Sequence, residues 1–215
     1  MSYVFQSARL ELDKAIQKNA QYVRGKILDI GAGPHDRYSR YFEASEYVRM
    51  NIEPGSNTQL VGKIEKIPAE NDSFEGILCT QVIGDVLDLR EAFLEMNRVL
   101  KPGGRILLTE GFFDAPNDEP HDYWRFTPHS LRRLCEEAGF KVMVIERLGG
   151  YWSVREQMRA RYWIAKYDLY HARYGRWASF MLKLLGNRAI RRDARDPISQ
   201  GLGIAHGFLV VAEKN

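Results

Sequence analysis

Lys26-Ile27-Leu28-Asp29-Ile30-Gly31-Ala32-Gly33 governs the reading of this chain. A short apolar run ends in an acid and then turns through two glycines. The pattern predicts a buried strand feeding a tight loop. Gly31 and Gly33 lack a Cβ, so the backbone can turn sharply there and lie against a ligand. By itself a G-x-G after a strand is a weak signal, because many turns use glycine. Its weight comes from the motifs downstream and the order in which they stand. An acid, Glu53, comes some twenty residues on. An apolar run Gly76–Thr80 is closed by Gln81, and Arg98-Val99-Leu100-Lys101-Pro102-Gly103-Gly104 precedes a further strand.

Working outward, short apolar segments predict strands at Lys26–Ile30, Tyr47–Ile52, Gly76–Thr80, Arg105–Thr109, Phe140–Ile145 and Ile204–Ala212. Ser7–Tyr22 reads as a helix with a thin apolar stripe. Asp88–Leu100 reads as a second helix, capped by Asp88, with Leu89, Ala92, Phe93, Met96, Val99 and Leu100 at helical spacing. Lys101-Pro102-Gly103-Gly104 is expected to end it. Thr127-Pro128 opens a third helix that Gly139 closes. Strands alternating with helices predict an α/β fold with a mostly parallel, doubly wound sheet covered on both faces. The stretch from Tyr151 to about residue 197 breaks this rhythm. It is helical in propensity and rich in Trp, Tyr and Arg, and is expected as an insertion before the last strand of a single domain spanning 1–215.

Composition sets bounds. With 215 residues, 45% hydrophobic and 27% charged, the chain has the makeup of a globular protein with a sizeable core. Cys79 and Cys135 lie in apparent strand and helix patterns and read as reduced core thiols. No zinc spacing or other metal constellation is visible. Met1–Gln6 lacks a basic region followed by an apolar one, so no leader is expected, and the cytoplasm is the expected location. The net charge of +3 is unevenly spread: Gly150–Arg195 holds eleven basic residues against three acids, a local +8 that leaves −5 elsewhere. Such asymmetry points to a surface that meets something anionic.

Two common nucleotide loops are excluded. A dinucleotide fold wants G-x-G-x-x-G, and position 36 is Asp. The G-x-x-x-x-G-K-[ST] loop is absent. The remaining option is a doubly wound fold that takes a nucleoside ligand without a pyrophosphate. At this point the chain resembles the class I S-adenosylmethionine-dependent methyltransferases (type 11-like). Four stretches carry the resemblance in family order: Leu28-Asp29-Ile30-Gly31-Ala32-Gly33, Asn51-Ile52-Glu53-Pro54, Asp72-Ser73-Phe74-Glu75-Gly76-Ile77-Leu78-Cys79-Thr80-Gln81, and Arg98 through Gly104. A fifth, Pro120-His121-Asp122-Tyr123-Trp124-Arg125-Phe126-Thr127-Pro128, is similar to a signature of bacterial methyltransferases of surface-polysaccharide and secondary-metabolite pathways.

The resemblance implies a seven-stranded sheet, S-adenosyl-L-methionine as cofactor, and roles for particular residues. Gly31, Ala32 and Gly33 would border the methionine part, with Asp29 near its amino group. The acid that holds the ribose hydroxyls in the family aligns with Asn51. Glu53, two residues on past Ile52, is then expected to take over, since a carboxylate accepts two hydrogen bonds. The acid near the adenine aligns with Lys63, with the following Glu65 as its candidate substitute. Gln81 closes the cofactor set. Where relatives often read Glu-His, this chain has Gly84-Asp85.

In such a reaction the cofactor carries the methyl group and the protein supplies orientation and electrostatics. A hydroxyl acceptor also asks for a general base. His121 is the first candidate, in a polar loop after the strand Arg105–Thr109; a histidine bonding loop backbone is its bland reading. Asp122 is expected to orient His121 or act as base. Asp85 is the third candidate, with helix capping as its alternative. Tyr123, Trp124 and Arg125 are expected to line the acceptor site, since aromatic faces suit sugar stacking and Arg suits a carboxylate or phosphate; the alternative is that Trp124 is core and Arg125 pairs with a nearby acid.

The expected acceptor is a sugar, a glycolipid or another small metabolite, methylated on oxygen. Three readings stay open for the basic segment 151–195: a solvated face, contact with a membrane surface, or phosphate contacts to nucleic acid, the last ranked lowest because no nucleic-acid motif accompanies the charge. A non-catalytic relative of the same fold is the remaining alternative.

Overall fold

A computed structural model describes residues 4–117 and 119–215; half of the segment expected to lack a leader, residues 1–3, lies outside them. The chain divides into two compact units. One takes Ala15–Glu146 with Gly207–Asn215, and the other takes the residues up to Lys14 with Arg147–His206.

The first unit holds the sheet. Its strands are β1 (Arg24–Ile30), β2 (Glu43–Asn51), β3 (Leu60–Val61), β4 (Phe74–Thr80), β5 (Leu100–Gly111), β6 (Phe140–Leu148, whose last two residues belong to the other unit) and β7 (Gly207–Lys214). They lie in the order β3-β2-β1-β4-β5-β7-β6. Parallel ladders join β3 to β2, β2 to β1, β1 to β4 and β4 to β5, while β7 runs antiparallel to β5. The expected mostly parallel seven-stranded sheet is present. Its strand order reverses direction at β1 and β4, and ligands of such sheets bind outside the carboxyl ends of strands at that crevice.

β1 is central, and Ile27, Leu28 and Ile30 are buried in it. α2 (Leu89–Val99) begins at Asp88, whose carboxylate accepts from Glu91 N at 3.0 Å, and buries Ala92, Phe93, Met96 and Val99. α3 (Pro128–Glu137) begins at Thr127, which exchanges hydrogen bonds with Ser130 in a capping box, and buries Leu131 and Cys135. Both cysteines are free and buried. Burial raises both thiols, Cys135 to about 12.

Element boundaries depart from expectation for local reasons. β2 starts at Glu43 because its exposed, polar first residues pair with β1 from Arg24 onward, where an apolar-run criterion sees nothing. It stops at Asn51, leaving Ile52 exposed. Lys101–Gly104 does not separate a helix from a strand: β5 already starts at Leu100, which pairs with Phe74, and the ladder is irregular between Phe74 and Gly76. β7 runs on to Lys214 because Glu213 meets Arg105 at 2.8 Å and Lys214 meets Asp72 at 2.8 Å. The first helix, α1, ends at Asn19, and a 3₁₀ turn covers Ala20–Tyr22. The two-residue β3 was too short to announce itself in the sequence.

The second unit is helical: α4 (Tyr151–Tyr167), α5 (Gly175–Asp193) and α6 (Pro197–Gly201). The sequence reads this stretch as an insertion before the last strand; in the structure the N-terminal segment completes its core, where Val4 and Phe5 pack with Ala160, Ile164, Leu169 and Leu182. Ser7 Oγ donates to Gln157 Oε1 at 3.1 Å and Phe5 N to Ser179 Oγ at 2.9 Å. No helix among the described residues is long and apolar enough to cross a membrane.

Candidate active site

The β1 loop is held by backbone and by two side chains, those of Asn51 and Arg49. Gly31 and Gly33 both take left-handed φ, +69° and +65°, which a side chain would strain. Their missing Cβ atoms serve different ends. At Gly31 a Cβ would sit 2.3 Å from Val82 Cγ2, so this glycine is required by the end of β4 rather than by a ligand. At Gly33 a Cβ would meet nothing within 4 Å, so this glycine faces open space. Gly31 N donates to Met50 O at 2.9 Å, and Ala32 N donates to the same carbonyl at 3.3 Å.

Asn51 accepts from Gly33 N at 3.0 Å and donates to Thr58 Oγ1 at 2.9 Å. The residue aligned with the family's ribose acid therefore braces the glycine loop. Ile52 and Glu53 follow it at the carboxyl edge of the sheet, both exposed. Gln81, at φ +56°, hangs from the end of β4 with its N–H on Thr109 O at 2.8 Å.

Asp29 lies beneath this loop and is almost wholly buried. Tyr47 O–H donates to its Oδ2 at 2.9 Å, while Oδ1 has no partner. Burial pushes its pKa up to about 7; the Tyr47 hydrogen bond and the Arg49 charge pull the other way and recover part of the shift. Arg49, which sequence reasoning missed, is equally buried and donates from Nη2 to Ala32 O at 3.1 Å and Gly33 O at 2.9 Å. A lone arginine between Val48 and Met50 in an apolar strand was the available signal.

These features fit a cofactor that carries an amino-acid moiety. An unsatisfied buried carboxylate oxygen offers a partner to an ammonium group, and the open flank at Gly33 leaves room for the adjoining chain.

A second cluster forms at the ends of β4 and β5. Glu110, also missed, is fully buried, and its Oε1 accepts from Val82 N and Ile83 N, both at 2.8 Å. Burial raises its pKa to about 8 against the pull of these backbone N–H groups. The 3₁₀ turn it holds, Ile83–Asp85, carries Gly84 and Asp85. Asp85 is exposed there, and the helix cap that was its alternative reading belongs to Asp88. The 121–125 stretch docks on this turn. Tyr123 N and Trp124 N donate to Gly84 O at 2.9 and 3.1 Å, and Trp124 Nε1 donates to Val86 O at 2.9 Å.

Within that stretch His121 and Asp122 have different partners, so the expected pairing gives way to another arrangement. His121 Nδ1 lies 3.0 Å from Tyr123 Oη. Asp122 forms a two-pronged ion pair with Arg125, at 2.5 and 2.7 Å, and also accepts from Asn117 N at 2.7 Å. Arg125 foremost holds the Asp122 carboxyl down at about 2. A carboxylate this acidic is a weak base, and the pair fixes Arg125 instead of orienting His121.

Residues 3–144 match the methyltransferase-domain family, more than half of the chain. The chain belongs to that family. With its glycine loop and sheet order, it is a class I S-adenosylmethionine-dependent methyltransferase. Among curated relatives, the O-methyltransferase rstn1 of Aspergillus nomiae is 27% identical over 161 residues, 61% of this chain and 72% of that protein. The ubiquinone/menaquinone biosynthesis C-methyltransferase UbiE of Cronobacter sakazakii is 30% identical over 156 residues, 62% of this chain and 59% of that protein. Among solved structures, the [4+2]-cyclase SpnF superposes with a TM-score of 0.61 at 16% identity, covering 96% of this chain and 81% of its own. That likeness concerns the fold alone.

Proposed function

We propose that this methyltransferase moves the methyl group of S-adenosylmethionine to an oxygen of a small acceptor, a sugar or ring-bearing metabolite, at the junction of the glycine loop and the 121–125 stretch. The observation that carries the reading is the anchoring of Tyr123 and Trp124 on Gly84 O. It sets a histidine, two exposed aromatic side chains and an arginine beside the end of β4, the strand that neighbours the glycine loop.

S-adenosylmethionine is the cofactor; when bound it supplies a methyl group on a sulfonium, activated for in-line displacement. Asp29, ionised, holds the amino group, and the 31–33 loop borders the methionine chain. Glu53 takes the ribose hydroxyls, because the Asn51 side chain is committed to Gly33 and Thr58. On the acceptor side, the tautomer with Nδ1–H donating to Tyr123 Oη leaves His121 Nε2 able to accept the hydroxyl proton. Tyr123 and Trp124 offer flat faces to a sugar or aromatic ring. Arg125, fixed by Asp122, offers a planar donor fork to an anionic substituent.

The test is methyl transfer from labelled cofactor to a panel of nucleotide sugars, glycolipids and small phenols, with the methylated atom assigned by NMR. His121→Ala should lower turnover about a hundredfold or more while cofactor affinity stays within a few-fold. A product methylated on carbon, or unchanged turnover in His121→Ala, would refute the assignment to oxygen with His121 as base.

A further inference from the structure

We infer that the exposed face of α5 docks this protein on an anionic lipid bilayer. The inference concerns the helical unit alone and is independent of the methyl acceptor. On one side of α5, Leu182, Gly186 and Asp193 are buried, which fixes the opposite side toward solvent. That side divides along its length. Its first half carries Trp177, Phe180, Met181 and Leu184, of which Trp177 is 66% exposed and Leu184 50%. Its second half, continued past the helix end, carries Arg188, Arg191, Arg192 and Arg195. At 3.6 residues per turn, positions 177, 180, 181, 184, 188, 191 and 195 fall within one narrow sector. The structure therefore presents an apolar stripe that runs into an arginine stripe, about 21 Å from Trp177 to Arg191 at 1.5 Å per residue.

The arginine half lines an open groove of about 620 Å³ with Leu184 and Asn187. The acids of the segment are engaged elsewhere. Glu156 is buried and meets Arg159 at 2.9 Å. Asp193 is buried and accepts from Trp152 N and Ser153 N, both at 2.8 Å. Asp168 meets His171 at 2.8 Å. Asp196, the nearest further acid, accepts from Trp152 Nε1 at 2.7 Å. The local excess of positive charge is thus displayed at the surface instead of being cancelled within it.

Exposed aliphatic side chains decide between the two polyanions that such charge attracts. Nucleic acid rewards arginine and stacked aromatic rings but gains nothing from exposed Leu184 and Met181. A bilayer surface takes all of them. Leucine, methionine, phenylalanine and tryptophan enter the acyl boundary, and the arginines stay with the lipid phosphates. The segregation of the two halves calls for a tilted helix, its first half deeper than its second.

Flotation of the full chain with vesicles tests this, using phosphatidylcholine alone and phosphatidylcholine with about a third phosphatidylglycerol. The chain should float with the anionic vesicles, stay behind with the neutral ones, and be released by high salt. Arg188→Gln/Arg191→Gln/Arg195→Gln should weaken partitioning about a hundredfold. Trp177→Ser/Leu184→Ser should weaken it about tenfold or more. Thermal melts of both variants should match the parent, since every replaced side chain is exposed. In the unaltered chain, brominated lipid should quench tryptophan fluorescence, a readout that does not depend on any variant folding. Absence of binding to anionic vesicles, or equal binding by the Trp177→Ser/Leu184→Ser variant, overturns the inference. Loss of single-stranded RNA binding in the arginine variant alongside unchanged vesicle binding would assign the face to nucleic acid.

Discussion

Asp29→Asn separates the cofactor reading from its rivals most sharply. The Asp29 carboxyl stands at about 7 against an ordinary 3.8. Three units at about 1.36 kcal/mol each make its ionised form cost the free protein roughly 4 kcal/mol. The folded carboxyl binds its proton more tightly than the unfolded one. The cost is therefore absent below about pH 4, grows as pH rises, and is complete above about pH 7. An amide at position 29 carries no such cost. It keeps an acceptor for Tyr47, and its NH₂ takes the place where Oδ1 has no partner. The terms this introduces do not depend on pH, so they cancel when two pH values are compared. Between pH 5 and pH 8 the variant should gain about 2–3 kcal/mol on the parent in urea unfolding without ligand. Binding should move the opposite way. The demethylated cofactor's ammonium needs an ionised partner, so parent affinity should rise by close to tenfold from pH 5 to pH 6 and level off above about pH 7. Asp29→Asn should bind roughly 1.5–3 kcal/mol more weakly at pH 8 and show no such rise. A stability gap equal at both pH values, together with unchanged affinity, would refute the reasoning on both counts.

Two further expectations rest on hydrogen bonds at the site. Asn51→Ala frees Gly33 N and should lower both thermal stability and cofactor affinity, whereas Glu53→Gln should lower affinity alone, by about tenfold or more; equal melting shifts in the two would undo this division. Glu110→Gln keeps an acceptor for Val82 N and Ile83 N and should melt close to the parent, but Glu110→Ala orphans both and should cost about 1–3 kcal/mol for each group in chemical denaturation.

The fold was largely legible because its main signals are local. The glycine loop at 31–33, the Asp88 and Thr127 caps and the apolar runs of β1 and β4 depend on residues adjacent in sequence. What was missed depends on contacts between distant residues. Glu43–Glu46 become strand only because β1 lies beside them, and Leu60–Val61 only because Met50 and Asn51 pair with them. Val4 and Phe5 belong to a core whose other members lie beyond residue 159.

The candidate site divides in the same manner. The motif points to Asp29, but its missing hydrogen bond is a fact of packing. Arg49 and Glu110 stood in the sequence as charges inside apolar strands, and only the carbonyls and N–H groups they reach explain them. Adjacency in sequence suggests His121 as the partner of Asp122, yet a guanidinium three residues on offers it a planar fork that an imidazole cannot match. Methyl transfer itself rests on the family match, since a cyclase shares the fold.

The attachment of the 121–125 stretch is made mostly by main chain. Tyr123 and Trp124 are held through their own N–H groups on Gly84 O, and the turn that presents this carbonyl is held by Glu110 through N–H groups again. Apart from the Trp124 indole, these links are indifferent to which side chains the segment displays. Tyr123 and Arg125 can therefore be exchanged on a fixed mount while His121 stays in place as the proposed base. A library randomised at these two positions, with His121, Glu110, Gly84 and Trp124 left alone, is the natural starting point for redirecting the enzyme to a chosen acceptor.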